Sequence, residues 1–262
     1  MAESGVVSPR RGGLPRLLIG IVVRPRQTLM TVKEGQRRSW WLPALLTVLL
    51  VVLPIAVAAP ISAREAIRSL DEEMPDEVRE QFSEEYMQRA YDAASSPFFT
   101  AVFPAIGTVI GHGVGWLAWA GILYLGSIML GGRGTFEQMF PIVGWARFPY
   151  ALRGLAQTVY ILVSGELIKR PGLSGLIQDA PSDVFTGAPD LGRALTTAFL
   201  SRVDLFLIWS LVLLVVGVSV TTKLSRRKSV LLTLAGWALI TLLVLIPSLA
   251  GVFVAQRAFV GA

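Results

Sequence analysis

Long runs of apolar residues dominate the chain, and their lengths predict membrane-spanning helices. Five stretches hold 18 or more mostly apolar residues, the length that an α-helix needs to cross a bilayer. They are residues Trp40–Pro60, Phe98–Leu130, Phe140–Val163, Ala198–Val220 and Val230–Val254. The second stretch is too long for one straight crossing, so we expect it to tilt or to begin at the interface. The pattern predicts an all-α, polytopic integral membrane protein with five transmembrane helices.

Composition agrees with this prediction and removes several kinds of site. Only 16% of the 262 residues are charged, whereas a soluble domain carries about a quarter. The chain has no cysteine, which excludes disulfides, thiolate nucleophiles and cysteine metal sites. The single histidine, His112, excludes a zinc site of the HExxH type. We therefore expect neither a metal nor a cofactor.

Lysine and arginine gather on one side of the predicted spans. The N-terminal arm, the connection after the second span and the connection "TTKLSRRKS" are basic, whereas the first connection is strongly acidic. Because cytoplasmic loops carry an excess of Lys and Arg, five crossings place the N-terminus inside and the C-terminus outside. The net charge of +6 then indicates contact with lipid phosphates and not with nucleic acid. The residues expected to touch headgroups are Arg24, Arg26, Arg226, Arg227 and Lys228.

These features divide the chain into two parts. Residues 1–39 are predicted to form a basic cytoplasmic arm, in which apolar and basic residues alternate around Pro25. We expect a helix in the headgroup layer there, with a plain basic flank as the alternative. Residues 40–262 form the membrane domain, with an acidic outer loop at 61–97 that contains a helix from about residue 76 to 94. A second outer loop, 167–197, is rich in Gly and Pro and is predicted to be irregular.

The second span carries a row of glycines, Gly107, Gly111 and Gly115. Small residues at four-residue spacing let helix backbones approach closely within lipid. Packing inside the chain is the first interpretation, and homodimerisation is the second. His112 lies within this row, and a hydrogen bond to a neighbouring helix is the simplest role for it, although proton relay or ligand binding is an alternative.

The sequence lacks the side chains of an intramembrane enzyme. Ser127 and Ser164 have no GxSG setting, and Asp204 is the one carboxylate within a predicted span. The stretch "GGRGTFEQMF" lacks the GKS or GKT of a phosphate-binding loop and follows no strand pattern. We therefore expect a protein without catalytic activity.

The charged residues inside the spans form the candidate functional site. The third span contains Arg147 and Arg153 in "VGWARFPYALRGL", and the fourth contains Asp204 in "SRVDLFLIW". An unpaired charge at the membrane centre costs about 2.5–3.5 kcal/mol on insertion scales, so such groups pair or face a cavity. We expect Arg153 to pair with Asp204, and Arg147 to reach toward cytoplasmic phosphates. Pro149 should loosen the helix between the two arginines.

A second, more exposed pair is predicted between Glu166 and Arg202, and with His112 these residues complete a polar network. Three roles are open: a pair that fixes helix register, a path for a polar substrate or protons, and a lipid-headgroup site. Accessibility discriminates between them. A water-accessible cavity reaching Arg153 and Asp204 from one side favours transport, whereas a dry, closed pair favours a scaffold.

Three stretches together resemble a known family. "IVVRPRQTLMTV", "GGRGTFEQMFPIVGWARFPYALRGL" and "VDLFLIWSLVLLVVGVSVTTKLSRRKSV" are similar, in this order, to the Yip family of Ypt/Rab-interacting membrane proteins and their prokaryotic relatives. The resemblance covers roughly residues 16–254 and implies a five-helix domain with a cytoplasmic N-terminus. Eukaryotic relatives act in vesicle trafficking and contact small GTPases, but their D-L-Y-G-P-type motif is missing here. The short arm and the acidic outer loop look more like the prokaryotic branch, some members of which appear alongside export systems.

We therefore expect a non-enzymatic scaffold or accessory protein of the Yip type in the cytoplasmic membrane of a prokaryote, associated with membrane trafficking or export machinery. Its expected partners are membrane lipids and another protein in the membrane. One alternative is a small transporter or channel-like protein that uses Arg153, Asp204 and His112. Another is an adaptor that binds a small GTPase.

Overall fold

The computed structural model describes residues 14–34, 41–72, 82–177 and 191–260, with side chains outside the description at residues 14, 191 and 247–260. Within these ranges the chain is helical, which confirms the predicted fold class. The α-helices are α1 Leu14–Val23, α2 Pro25–Glu34, α3 Trp41–Glu72, α4 Glu84–Ser95, α5 Phe103–Met129, α6 Phe136–Ala146, α7 Phe148–Ser164, α8 Leu191–Leu200, α9 Leu205–Thr222 and α10 Arg226–Val260. A π-helical turn, Phe98–Val102, leads into α5, and a 3₁₀ turn, Gly172–Leu176, follows α7.

Four helical segments of the described chain are long and apolar enough to cross a membrane. They are Trp41–Glu72, Phe98–Met129, Leu205–Thr222 and Arg226–Ile246. These segments correspond to the first, second, fourth and fifth predicted spans. The third predicted span is also helical, but it is divided into α6 and α7 at Arg147. The polytopic helical architecture is therefore as predicted, with a broken helix in place of one continuous span.

Pro149 explains the break between α6 and α7. Proline has no N–H to donate, and its ring clashes with the preceding turn of a helix. Arg147, at φ −90° and ψ 1°, ends α6 and donates its backbone N–H to the carbonyl of Val143 at 3.1 Å. The Tyr150 N–H then donates to the Arg147 carbonyl at 3.0 Å and starts α7. The predicted loosening at Pro149 is confirmed as a complete interruption.

The densest part of the hydrophobic core lies toward one end of the bundle. We call this the basic end, because it carries α2, the α5–α6 turn and the basic α9–α10 turn; the opposite end, with the connections after α3 and α7, is the acidic end. Met139, Ile142 and Trp145 on α6 are fully buried there. A Cβ added at Gly217 on α9 would overlap the Ile142 side chain, so these two helices touch closely. Tight apolar packing closes the basic end.

The helices of the predicted arm belong to this core. Ile21 and Leu29 are fully buried and Val32 is nearly so. Lys33 Nζ donates to the Val220 carbonyl at 3.0 Å, which places a cation at the negative end of α9. Helix α2 packs on α6 and α9, and α1 packs on α2. Ile19, Val22 and Val23 of α1 are exposed, and the expected position of this arm in the headgroup layer stays a prediction. Residues 1–13 lie outside the described residues.

Helices α3 and α7 form the most extensive helix pair. A Cβ added at Gly154 would overlap the Leu50 carbonyl oxygen, so only glycine lets the two backbones approach this closely. Thr158 Oγ1 donates to the Gly154 carbonyl at 2.8 Å within α7. Close approach at a small residue is the usual way in which helices associate within lipid.

The predicted glycine row on α5 is not a packing face among the described residues. A Cβ added at Gly107 or Gly111 meets no described atom within 4 Å. At Gly115 the nearest atom is a guanidinium nitrogen of Arg147, at 4.0 Å. The prediction of close intrachain packing along this row is therefore wrong for the described residues, since the first half of α5 lies at the edge of the bundle that they form.

The acidic loop contains a shorter helix than predicted. Helix α4 begins at Glu84, where Ser83 Oγ accepts the N–H of Tyr86 at 3.2 Å and caps the helix. Residues 73–81, which include the start of the predicted helix, lie outside the described residues.

Candidate functional site

Arg153 and Asp204 are in contact, as the sequence suggested. Arg153 Nε lies 3.1 Å from Asp204 Oδ2, and the two side chains are 22% and 13% exposed. Arg153 comes from the second turn of α7, while Asp204 directly precedes α9. The structure thus joins the third and fourth spans through one partly buried ion pair.

Asp204 also caps a helix, and this places it differently from the prediction. Its Oδ1 accepts the N–H of Leu207 at 2.7 Å, the standard geometry of an aspartate at a helix N-terminus. The fourth span therefore begins at Leu205 and not at Ala198. Residues 191–200 form the separate helix α8, which packs on α10. Asp204 consequently lies at the acidic end of its span. One of its carboxylate oxygens caps α9, and the other contacts Arg153.

A cavity of about 630 Å³ at the acidic end reaches this pair. It lies between α7, the segment after α7, and the first residues of α9. Its apolar walls include Ala156, Leu167, Ile168, Leu205 and Phe206, and its charged lining residues are Arg153, Asp204, Glu166, Lys169 and Arg170. The charged pair is therefore accessible from one end of the bundle, in a cavity that has both apolar and charged walls.

Two left-handed glycines hold the segment that forms one wall of the cavity. Gly165, at φ +69°, ends α7, and Gly172, at φ +63°, begins the 3₁₀ turn. A Cβ at Gly172 would lie 2.8 Å from three carbonyl oxygens of residues 200–203. The N–H of Leu173 donates to the Val203 carbonyl at 3.0 Å and ties this wall to the start of α9. The mouth of the cavity is thus fixed by backbone contacts.

The predicted pair of Glu166 and Arg202 does not form. Glu166 lines the cavity, but Arg202 does not, and the structure shows no ion pair between these two exposed residues. The prediction assumed that Arg202 lies on the face of the fourth span. Because α9 begins at Leu205, three residues after Arg202, Arg202 lies in the turn between α8 and α9 instead.

The bundle is closed between the pair and the basic end. Val143 and Trp145 on α6 are 0% exposed, and Leu213 on α9 is 1% exposed. These side chains belong to one continuous apolar cluster. In the part of the chain that the structure describes, the cavity is therefore closed toward the basic end.

Arg147 lies apart from the cavity. Its Cζ is 4.9 Å from the centre of the Tyr150 ring, and its side chain points toward Gly115 on α5. The expectation that Arg147 extends to cytoplasmic phosphates is wrong, because Gly115 lies well inside α5. His112 Nδ1 is 2.9 Å from the Thr108 carbonyl of its own helix, and the described residues show no bond from this histidine to a neighbouring helix.

The basic residues predicted to touch headgroups lie at the basic end. Arg24, Arg26, Arg226 and Arg227 are exposed, and their contact with lipid stays a prediction. Lys228 is exposed as well, but its Nζ donates to the Leu130 carbonyl at 2.9 Å and satisfies the end of α5. Within the described residues, no three His, Asp or Glu side chains come together as a metal site.

Comparison with known families gives one match. The family model described as the Yip1 domain matches residues 19–249, which is well over half of the chain and runs from α1 into α10. Comparisons with curated proteins and with solved structures found no match.

Proposed function

Because the chain belongs to the Yip1 domain family, we propose that it is a non-enzymatic accessory protein of the membrane that binds the polar group of a ligand in its acidic-end cavity. Family membership and the apolar helices together make it a multi-pass membrane protein. The observation that carries the ligand site is the cavity that reaches Arg153 and Asp204.

The chemistry of this cavity favours a small zwitterionic or amphiphilic ligand. An ion pair buried in a dry core gains little over apolar packing, because both charges lose their hydration. Here the cavity leaves both charges open to further partners, and a guanidinium has donors beyond the single Nε–H that faces Asp204. Polar groups placed among apolar walls are typical of sites for small ligands, and Glu166, Lys169 and Arg170 add charges of both signs to this cavity.

Transport is the second candidate, and the same cavity supports it. A cavity reaching the pair from one side is the feature that distinguishes a transporter from a dry scaffold. A transporter also needs a state in which the basic end opens, and in this structure Val143 and Trp145 close that end. These contacts support a one-sided binding site, from which transport would require a large rearrangement of α6.

We further propose the cytoplasmic membrane of a prokaryote as the location, with the N-terminus inside and the C-terminus outside. The support is the excess of Lys and Arg on the α2, α5–α6 and α9–α10 segments. In this orientation the cavity faces outward, and the basic end presents lipid-binding and partner-binding cations to the cytoplasm. A role beside membrane trafficking or export machinery fits a protein with two such separate surfaces.

Thiol labelling tests both the cavity and the orientation. Since the natural chain has no cysteine, each single-cysteine variant carries one thiol. We expect Ala156→Cys, which lines the cavity, to react with a membrane-impermeant maleimide in intact cells. Val159→Cys is the matched control: this residue on the same helix is 52% exposed but does not line the cavity, so its thiol should face lipid and stay unreactive. Thr135→Cys, at the basic end, should react only in opened cells.

Each outcome of this labelling has a distinct meaning. Equal reactivity of Ala156→Cys and Val159→Cys would contradict a water-filled cavity. Labelling of Ala156→Cys in opened cells alone would reverse the orientation and keep the cavity. Val143→Cys should be unreactive in the folded protein, and its labelling from the basic end would favour transport over a static binding site.

A further inference from the structure

Another cavity lies between α1 and α2, beside the basic end. It has a volume of about 670 Å³ and is lined by one face of α1, within residues 15–23, and by Arg24, Gln27, Thr28 and Thr31. We call it the arm crevice. It shares no lining residue with the acidic-end cavity, so a ligand bound there does not explain it.

Pro25 and Gly20 explain why the two helices enclose a crevice. Proline has no N–H to continue a helix, so α1 ends at Val23 and α2 begins at Pro25. Residues eight positions apart in a straight helix are separated by about 12 Å along its axis. A Cβ added at Gly20 would nevertheless overlap Thr28 Oγ1, so the chain bends sharply here. The N–H of Arg24 donates to the Gly20 carbonyl at 2.7 Å and fixes the bend.

The arm crevice carries positive charge and hydrogen-bond donors. Arg16 and Arg24 line it and are exposed, and no carboxylate is among its lining residues in the part of the chain that the structure describes. Thr28 Oγ1 already donates to the Arg24 carbonyl at 3.1 Å, and Thr31 Oγ1 donates to the Gln27 carbonyl at 3.0 Å. The donors left for a ligand are therefore the two guanidiniums and the Gln27 amide, a set that suits an anion.

Apolar side chains stand beside these donors. Ile19 and Val23 line the same crevice, and each is 66% exposed. Together with Arg16 they recur at helical spacing, so they share one face of α1. A free phosphate gains nothing from such side chains, whereas the apolar part of a phospholipid buries them. Exposed apolar residues next to two arginines therefore favour an anion that is also an amphiphile.

We propose that the arm crevice binds one anionic phospholipid, whose phosphate is held by Arg16 and Arg24. A planar guanidinium forms two parallel hydrogen bonds to phosphate oxygens, and two arginines without a lining carboxylate favour a headgroup that carries no cation of its own. The site rests on the lipid contact proposed for the basic end and narrows it from several dispersed cations to one crevice. Arg26 is exposed but does not line the crevice, so it has no part in this site.

Native mass spectrometry of the delipidated full chain in mild detergent tests the site. Added phosphatidylglycerol should bind the wild type more tightly than phosphatidylcholine does, and Arg24→Gln should weaken the binding of phosphatidylglycerol about tenfold, as for the loss of a charged hydrogen-bond partner. Arg26→Gln is the matched control, because it removes the same charge from an exposed residue outside the crevice and should keep the wild-type affinity. Equal weakening by the two variants would show that general charge attracts the lipid, and it overturns the proposal.

A carboxylate placed in the crevice gives a second test that leaves both arginines intact. Thr31 lines the crevice and is exposed, so Thr31→Glu should fold, keep the unliganded melting temperature and lose about tenfold in affinity for phosphatidylglycerol. Thr135→Glu is its control, since it adds the same charge to an exposed residue at the same end of the bundle but outside the crevice. Wild-type affinity in Thr31→Glu contradicts the site.

The same measurements separate this site from the broader proposals. If Arg24→Gln binds phosphatidylglycerol as the wild type does while Arg226→Gln binds it more weakly, the lipid contact of the basic end holds and the crevice is the wrong place. Binding of inorganic phosphate without binding of phosphatidylglycerol also overturns the lipid site. None of these results depends on the acidic-end cavity, which the labelling of Ala156→Cys tests by itself.

Discussion

Replacing Asp204 with asparagine should lower the free energy of unfolding by about 3 kcal/mol. Asparagine caps a helix as well as aspartate does, so the bond to the Leu207 N–H is kept and only the charge is removed. Arg153 is then left without its partner in a site where the pair is largely buried. Breaking such a pair costs about 3–5 kcal/mol in a dry core, and access from the cavity reduces this loss. Unfolding in mixed micelles, followed by circular dichroism, measures the effect.

A double-mutant cycle separates the pair from the cap. We expect Arg153→Gln and Asp204→Asn to couple by about 2 kcal/mol, so that the double variant is more stable than the sum of the single losses predicts. Asp204→Ala should cost about 1 kcal/mol more than Asp204→Asn, because alanine cannot cap α9. A charge swap with arginine at position 204 should restore only part of the stability, since arginine has no acceptor for the Leu207 N–H. Simple additivity in the cycle would show that the contact does not stabilise the fold.

Gly154→Ala should cost about 3 kcal/mol or prevent folding. The added methyl group would overlap the Leu50 carbonyl oxygen and force α3 and α7 apart along their largest contact. Overpacking usually costs about 1–3 kcal/mol, and a backbone atom cannot move aside as a flexible side chain does. The same mixed-micelle unfolding measures the loss.

Gly111→Ala is the matched control for Gly154→Ala. Both glycines lie inside helices, but a methyl group at Gly111 meets no described atom within 4 Å. Alanine is a better helix former than glycine by about 1 kcal/mol, so this variant should be as stable as the wild type or more so. Equal destabilisation by the two variants would mean that α5 is covered in the folded protein.

The long spans and the ion pair could be predicted because lipid imposes strong constraints. An apolar stretch of about 20 residues has few alternatives to a spanning helix. A carboxylate in such a segment needs a cation, and Arg153 was at a compatible depth, so the contact with Asp204 followed from the cost of isolated charge. The start of α9 was misplaced because residues 198–200 are apolar and extend the pattern. The sequence does contain a signal for the true start of α9, since an aspartate before an apolar run is a typical helix cap.

The glycine row and the cavity could not be predicted from spacing. Glycines four residues apart look the same whether they face a helix, a second copy or open space. Only the tertiary arrangement shows that no described atom lies against Gly107 and Gly111. Gly154, in contrast, makes a close helix contact although it is not part of a row of glycines at four-residue spacing. The cavity depends on the left-handed turns at Gly165 and Gly172, whose conformation is set by contacts with residues far along the chain. The break in the third span could be predicted because it depends on the local effect of Pro149 on the helix and not on distant contacts.

The break at Arg147 also affects how the chain enters the membrane. Helices α6 and α7 have 11 and 17 residues, and the segment carries two arginines that the insertion machinery disfavours. Neither half is a self-sufficient span, so we expect the third segment to insert only beside α3, which is synthesised earlier and contacts it at Gly154. In a glycosylation-reporter assay, residues 136–164 should cross the membrane when residues 41–72 precede them and should fail to cross alone. Order of synthesis thus supplies the partner before the segment that requires it.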